Sequence, residues 1–263
     1  MNQPFAFIDP SAKLADSVVV EPFVSISKNV IIGEGTWIGP NVTIMEGARI
    51  GKNCKIFPGS VISAIPQDLK YKGENSTVEI GNNVIIREFV TVNRGTAHLM
   101  KTTVGDNTML MAYVHVAHDC TIGNNCILAN NVNLAGHIEI QEHAILGGAC
   151  NIQQFTKIGK YAFLSGGSLV NKDIPPYVRA ARHPTAYAGI NSIGLRRKGF
   201  SNEQISAIHN IYRILYLKGL NTSNALKVIE REIPSSPEKD DIVAFIRESV
   251  RGIMKGFNSK YED

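Results

Sequence analysis

Three histidines, His115, His118 and His137, fall within one run of 23 residues, with Asp119 beside the second and Gly136 beside the third. Histidine is the side chain best suited to general-base work near neutral pH, because it gains and loses its proton there. A glycine in line with such a base can present an unobstructed backbone N–H to a developing oxyanion. Histidines also bind metals. Here His115 and His118 are spaced H-x-x-H, whereas the zinc-holding γ-class carbonic anhydrases use H-x-x-x-x-H, so no metal is expected. The remaining candidates for nucleophile or ligand are Cys54, Cys120, Cys126 and Cys150. Which of these side chains can meet depends on the elements that carry them.

Those elements show as a period of six. Counting from Ile8 to Val170 in sixes gives 28 slots, of which 25 hold Ile, Leu or Val; the exceptions are Asp68, Glu74 and His98. The fifth position of each hexad is small, as in Ala12, Val42, Ala48 and Ser60, and the second is often glycine. A helix needs a period of 3.6 and a simple strand a period of 2. A strict six fits a chain that turns a corner every six residues, pointing one aliphatic and one small side chain inward. Three such flats close a triangular coil of about 18 residues, and stacked coils bury a continuous core. All four cysteines occupy the fifth position, which makes them small buried fillers and not disulfide, metal or nucleophile residues.

Residues 18 apart then stack along the prism. His118 is the third residue of its hexad, with Gly136 one coil on and Gln154 two coils on. His137 stacks over Asp119, and His115 is expected at the corner just before this flat. The repeat breaks at about 63–77 and 97–103, and both loops leave from the same side as these residues. Loops extruded from a regular scaffold usually carry function. His143 falls on a different flat. No regular threonine ladder suggests an ice-binding surface.

The repeat stops after Pro175–Pro176, and a β-helix over 1–183 gives way to a helical segment over 184–263. Ser201 is the expected N-cap of a helix to about Lys218. Asn221 or Thr222 starts a second to about Ile233, and Pro237 opens a third to about Lys255. The helical segment carries 12 basic and 9 acidic residues, most of the chain's net charge of +4.

Composition narrows the function classes. With 263 residues, 44% hydrophobic, the chain has enough apolar surface to fold, which excludes disorder. A net charge of +4 is too small to imply nucleic-acid binding. No stretch reaches the roughly 18 apolar residues of a spanning helix. Nothing at the N-terminus resembles a signal peptide, so a cytoplasmic location is expected.

Several segments resemble one family: IGPNVTIMEGARIG, IPQDLKYKGE, HVAHDCTIGNNCILANNVNLAGH and GINSIGLRRKGF. They are similar to the UDP-N-acetylglucosamine O-acyltransferases that take their acyl chain from acyl carrier protein in the first step of lipid A biosynthesis. The resemblance covers essentially the whole chain. It implies a mainly β fold, a left-handed parallel β-helix followed by a small all-α C-terminal domain. It also implies a homotrimer with sites between neighbouring prisms, an (R)-3-hydroxyacyl donor on acyl carrier protein, a UDP-N-acetylglucosamine acceptor and no cofactor.

By the family pattern His118 is the general base on the sugar 3-hydroxyl, which attacks the thioester directly. Asp119 orients or polarises His118, and the Gly136 N–H stabilises the oxyanion. Gln67, Asp68 and Lys70 contact the hydroxyacyl and phosphate parts of the ligand. His115, His137 and Gln154 line the cleft, and Gln153 stands where many members have another histidine. Asn191, Arg197 and Lys198 hold the nucleotide. Lys198 replaces a common arginine, keeping charge but losing the bidentate fork, and Ile193 replaces an acidic residue. Gly166 matches the position that sets acyl-chain length, where a missing side chain favours about 14 carbons or more; Phe163 is a second candidate for closing that pocket. The residues leave open a 3-OH or 3-NH2 acceptor, a CoA-dependent transferase and a non-catalytic binding trimer.

Overall fold

The computed structural model describes residues 5–181 and 183–256. Three sheets of very short strands wrap a triangular prism. The first face has nine strands, from Phe7–Ile8 to Leu169–Val170; the second has eight, from Lys13–Leu14 to Lys157–Ile158. The third has ten, from Val19–Val20 to the pair Val178–Ala181 and Ala186–Ile190. All pairings are parallel except that last one.

Each strand pair follows the hexad. The slot residue points inward, so Ile26, Ile44, Leu110, Leu128 and Leu164 are fully buried. The small fifth residue of the hexad is buried beside it, with Cys54, Cys120, Cys126 and Cys150 all at 0% exposure and all free. Burial pushes the Cys120 and Cys126 thiols up to about 12, so neither is a thiolate at neutral pH. The filler role agrees with that environment.

Most corners have one residue in the left-handed region, and asparagine recurs there, as in Asn29, Asn41, Asn53, Asn83, Asn107 and Asn125. Asparagine tolerates positive φ better than most side chains because its amide bonds locally.

Two details differ from the sequence expectation. His118 and Asp119 are themselves the corner, between His115–Val116 and Thr121–Ile122, while His115 lies on the flat. The corner is set by Asp119, whose φ is +57°. The loops also sit slightly differently. Chain leaves the prism between Val61–Ala64 and Thr77–Ile80, and again between Thr91–Asn93 and Lys101–Val104. Lys101 to Thr103, expected in a loop, pair with Thr77 to Glu79. Ile50 therefore stacks on Ile80 and Ile80 on Val104, steps of 30 and 24 residues instead of 18. The insertions are 12 and 6 residues, multiples of the repeat, which is why the frame resumes after each.

Beyond the prism, α1 spans Ser192–Arg197, α2 Asn202–Leu217, α3 Thr222–Glu232 and α4 Pro237–Glu248. Ser201 caps α2 with a full capping box to Gln204, and Asn221 caps α3. No periodic pattern in the sequence points to the short α1. The last helix stops at Glu248 rather than near Lys255. Ser249 leaves the helix and its hydroxyl bonds Asp173, and Gly252 turns with φ +72°. The helices are tied to the prism by Tyr212 Oη to the Pro176 carbonyl, Tyr177 Oη to Asp241 at 2.6 Å, and Lys160 Nζ to Asp241 at 2.6 Å. No helix among the described residues is long and apolar enough to cross a membrane.

Leu128 is enclosed by coils on both sides, so truncation leaves a cavity that the stacked strands cannot close. Leu128→Ala is expected to lower stability by about 2–5 kcal/mol. Exposed Val250→Ala should stay within about 0.5 kcal/mol. Paired guanidinium melts check both values.

Candidate active site

The edge joining the first and second faces gathers most of the residues singled out. His118 is 5% exposed, and its Nδ1 lies 2.8 Å from Asp119 Oδ2. Asp119 is 1% exposed and fully engaged. Its Oδ1 accepts the amides of Thr96 at 3.0 Å and Leu99 at 3.1 Å, and its Oδ2 also accepts the Thr96 hydroxyl at 2.5 Å. Burial acts to raise the Asp119 carboxyl, but the hydrogen bonds from Thr96, His118 and Leu99 outweigh it and hold it below the ordinary carboxylate range. An ionised Asp119 can only accept, so His118 Nδ1 must donate. In the neutral imidazole the lone pair is then on Nε2, with Asp68 Oδ2 of the first loop 3.9 Å away.

Gly136 packs under this ring. A Cβ there would lie 2.6 Å from His118 Cε1 and 2.7 Å from Nε2, closer than any real contact. Among the described residues the Gly136 amide donates to no protein acceptor. A lone pair on a buried imidazole beside a free N–H is an arrangement suited to deprotonating a hydroxyl and receiving an oxyanion.

His137 follows at the next corner residue. Its ring stacks on Phe155 at 4.4 Å and meets His118 and His98 edge-on at 5.0 and 4.8 Å. Its Nδ1 is buried, 3.8 Å from Asp119 Oδ2 and without a hydrogen-bond partner. Burial first, then His118 and His98, lower its pKa against the opposing pull of Asp119 and Asp68, so it is neutral at pH 7. The ligand-capable atoms of His118, Asp119 and His137 lie within 4.8 Å of one another, a set able to hold a metal. Three protein donors besides His118 already occupy the Asp119 carboxylate.

Gln154 shares this edge, exposed, one coil beyond Gly136. Gln67 and Lys70 are exposed in the first loop, where the Lys70 amide bonds Asp68 Oδ1 at 2.9 Å. The other expected residues lie elsewhere. His115 is on the first face, with Nδ1 2.7 Å from Thr91 Oγ1 and its pKa lowered by burial. With Gln153 it lines a shallow groove of about 510 Å³ that also runs past Asn133 and Ala135. Asn191, Arg197 and Lys198 belong to the edge between the second and third faces. Asn191 caps α1 and its side chain bonds the Tyr161 carbonyl at 3.0 Å. Lys198 there helps hold down the pKa of His143, after burial. Phe163 is on the third face. Gly166 is at the remaining edge, where a Cβ would lie 3.1 Å from the Gly148 carbonyl oxygen. One prism therefore spreads the expected residues over three edges.

Sequence reasoning missed Thr96, Leu99 and Phe155. Phe155 was findable, since it stacks one coil beyond His137. Thr96 and Leu99 were not, because the six-residue insertion takes them out of the stacking frame.

The description "Udp N-acetylglucosamine O-acyltransferase; Domain 2" matches residues 173–254, and "Bacterial transferase hexapeptide (six repeats)" matches 29–64 and 101–136. The chain is 54% identical over 204 residues to the acyl-(acyl-carrier-protein)–UDP-N-acetylglucosamine O-acyltransferase of Chlorobaculum parvum, covering 76% of this chain and 77% of that one. It is 58% identical over 198 residues to the enzyme of the same name from Aquifex aeolicus, covering 75% and 76%. In structure it is similar to a UDP-N-acetylglucosamine acyltransferase from Bacteroides fragilis, with TM-score 0.96, 55% identity and coverage of 97% and 100%. The Francisella novicida counterpart gives TM-score 0.95 at 42% identity, covering 98% and 95%. With a left-handed parallel β-helix of hexapeptide repeats, a helical C-terminal region and identity at this level over three quarters of its length, the chain is an acyltransferase that belongs to the UDP-N-acetylglucosamine O-acyltransferase family.

Proposed function

We propose that this protein transfers an (R)-3-hydroxyacyl chain from acyl carrier protein to the 3-position of UDP-N-acetylglucosamine, the first step of lipid A biosynthesis, in the cytoplasm. The observation that carries the reading is the His118–Asp119 hydrogen bond of 2.8 Å, which leaves Nε2 free beside Gly136. His118 Nε2 takes the proton of the sugar 3-hydroxyl as its oxygen attacks the thioester carbonyl. The Gly136 N–H receives the negative charge on the carbonyl oxygen. The tetrahedral intermediate collapses, the carbon–sulfur bond breaks, and the carrier thiolate takes the proton back from Nε2. No acyl-enzyme forms, and no cofactor or metal takes part. His118 in its cationic state is stabilised by Asp119.

Asp68 lies within reach of a hydroxyl held at Nε2 and binds the 3-hydroxyacyl group with Gln67 and Lys70. His115, His137, Gln153 and Gln154 line the cleft. Asn191, Arg197 and Lys198 hold the nucleotide and its diphosphate, which needs cations. Gly166 and Phe163 set acyl-chain length. The basic helices suit an acidic carrier protein, whose approach is electrostatically steered.

A homotrimer brings the separated edges together. The first and third faces share an edge bearing exposed Phe5, Phe23, Phe89 and Tyr113, the first two tilted against each other and the last two stacked. The outward residues of the third face are largely apolar: Trp37, Ile85, Met109, Ile127, Ile145 and Phe163. Exposed aromatics and an apolar face call for a partner surface. With the aromatic edge on a threefold axis, the first face of one copy meets the third face of the next. The His118 edge then meets the Arg197 and Lys198 edge of its neighbour.

His118→Ala should lower kcat by about 10²–10⁴ in an assay with UDP-N-acetylglucosamine and hydroxyacyl carrier protein. Activity near wild type would remove His118 as the base. Gly136→Ala, which pushes the ring aside, should cost about 10² in kcat with the melting curve retained. Co-expression of His118→Ala with the Arg197→Ala, Lys198→Ala double variant should restore about one quarter of wild-type activity, because one site in four pairs intact edges. No recovery in mixed oligomers would exclude a shared site.

A further inference from the structure

We infer that Thr96 is a positioning residue for the acyl transfer, acting through Asp119 to fix the tautomer of His118. This inference rests on His118 being the base. Thr96 makes two of the four hydrogen bonds to the Asp119 carboxylate, one from its amide at 3.0 Å and one from its hydroxyl at 2.5 Å. It is 9% exposed, so water is largely shut out from replacing the hydroxyl.

The hydroxyl itself is aimed. It accepts the His98 amide at 3.4 Å, which leaves its proton for Asp119. The loop around it is closed tightly. The Thr96 carbonyl accepts the Met100 amide at 2.8 Å, and the Gly95 carbonyl accepts the Ser76 hydroxyl. A Cβ on Gly95 would lie 2.1 Å from the Lys101 nitrogen, so the turn closes only with glycine there. Arg94 is also buried and its Nε donates to the Ser63 carbonyl at 3.2 Å. The second loop is thus braced against the start of the first, and among the described residues its one side-chain hydrogen bond to the dyad is that of the Thr96 hydroxyl.

Oδ2 of Asp119 serves both Thr96 and His118. A carboxylate with its other lone pairs filled cannot rotate away from the imidazole. It also stays ionised, hence an acceptor, hence a partner only for the Nδ1–H form of His118. The charged or titratable groups around this pair are His137, 3.8 Å from Asp119, Asp68, 3.9 Å from His118, and His98 edge-on to His137. None of them donates a hydrogen bond to Asp119. Losing the Thr96 hydroxyl removes a bond to a charged acceptor and raises the Asp119 pKa. The carboxylate, with one donor fewer, then holds the protonated form of His118 more tightly, so activity, which needs the neutral imidazole, fails at a higher pH on the acid side.

The test is Thr96→Val against Thr96→Ser. Thr96→Val should lower kcat about tenfold, the value of one hydrogen bond to a charged group. Its KM should be unchanged, and its acid limb should move up in pH. Thr96→Ser should return both to wild type. The same variants are read without turnover by 15N NMR of the histidines. His118 should be protonated at Nδ1 in the wild type and in Thr96→Ser, and mixed in Thr96→Val. Wild-type kcat, acid limb and tautomer in a folded Thr96→Val protein would overturn the inference. If Thr96→Val does not fold, Thr96→Ala is read in the same way. Activity near wild type in His118→Ala would instead overturn the base assignment, and the NMR result would stand apart from it.

Discussion

A triangular coil closes only if each side has the same length, and six residues per side is the length that lets an aliphatic and a small residue meet inside. That constraint governs the rest of the molecule. Every corner stacks on the corner of the next coil, so residues in different coils are aligned along an edge with strand-spacing precision. It also limits what can be inserted. Chain may leave only at a corner and must return in register, as the 30- and 24-residue steps from Ile50 to Ile80 and from Ile80 to Val104 do. A rigid edge of stacked corners is a good place to hold a base and an oxyanion donor, because neither moves when substrate arrives.

On that edge the decisive electrostatic element is the saturated Asp119. Four donors converge on one buried carboxylate. Desolvation by itself would favour the neutral acid, and hydrogen bonding reverses the outcome. The imidazole next to it is then oriented by a fixed charge rather than by a mobile one. Gly136 completes the arrangement by having no side chain where the ring must lie. The second loop supplies three of the four donors, so an insertion that looks dispensable in a solenoid is part of the proton-handling unit.

The three edges differ in what they carry. The first carries His118 and Asp119, the second Asn191, Arg197 and Lys198, and the third two pairs of exposed aromatics. Three edges of one prism face away from one another by construction. A site that needs two of them has to be shared between copies.

The period of six, read residue by residue, determined the prism, its inward slots, the burial of the four cysteines and the alignment of His118, Gly136, His137 and Gln154. It could do so because a repeat converts sequence distance into spatial distance. The helix caps at Ser201 and Asn221 were legible for a local reason, the satisfaction of exposed N–H groups by short polar side chains. Where no period or local rule applied, the sequence was silent. It misplaced the corner at His115, missed α1 and ran the last helix seven residues too far. Only the tertiary structure decided that Thr96 and Leu99, 23 and 20 residues before Asp119 and outside the repeat, turn back onto its carboxylate. Only it separated Asn191, Arg197 and Lys198 from the His118 edge. Both facts depend on how an insertion folds and where a non-repeating chain docks, and those are set by contacts between segments rather than by spacing along one.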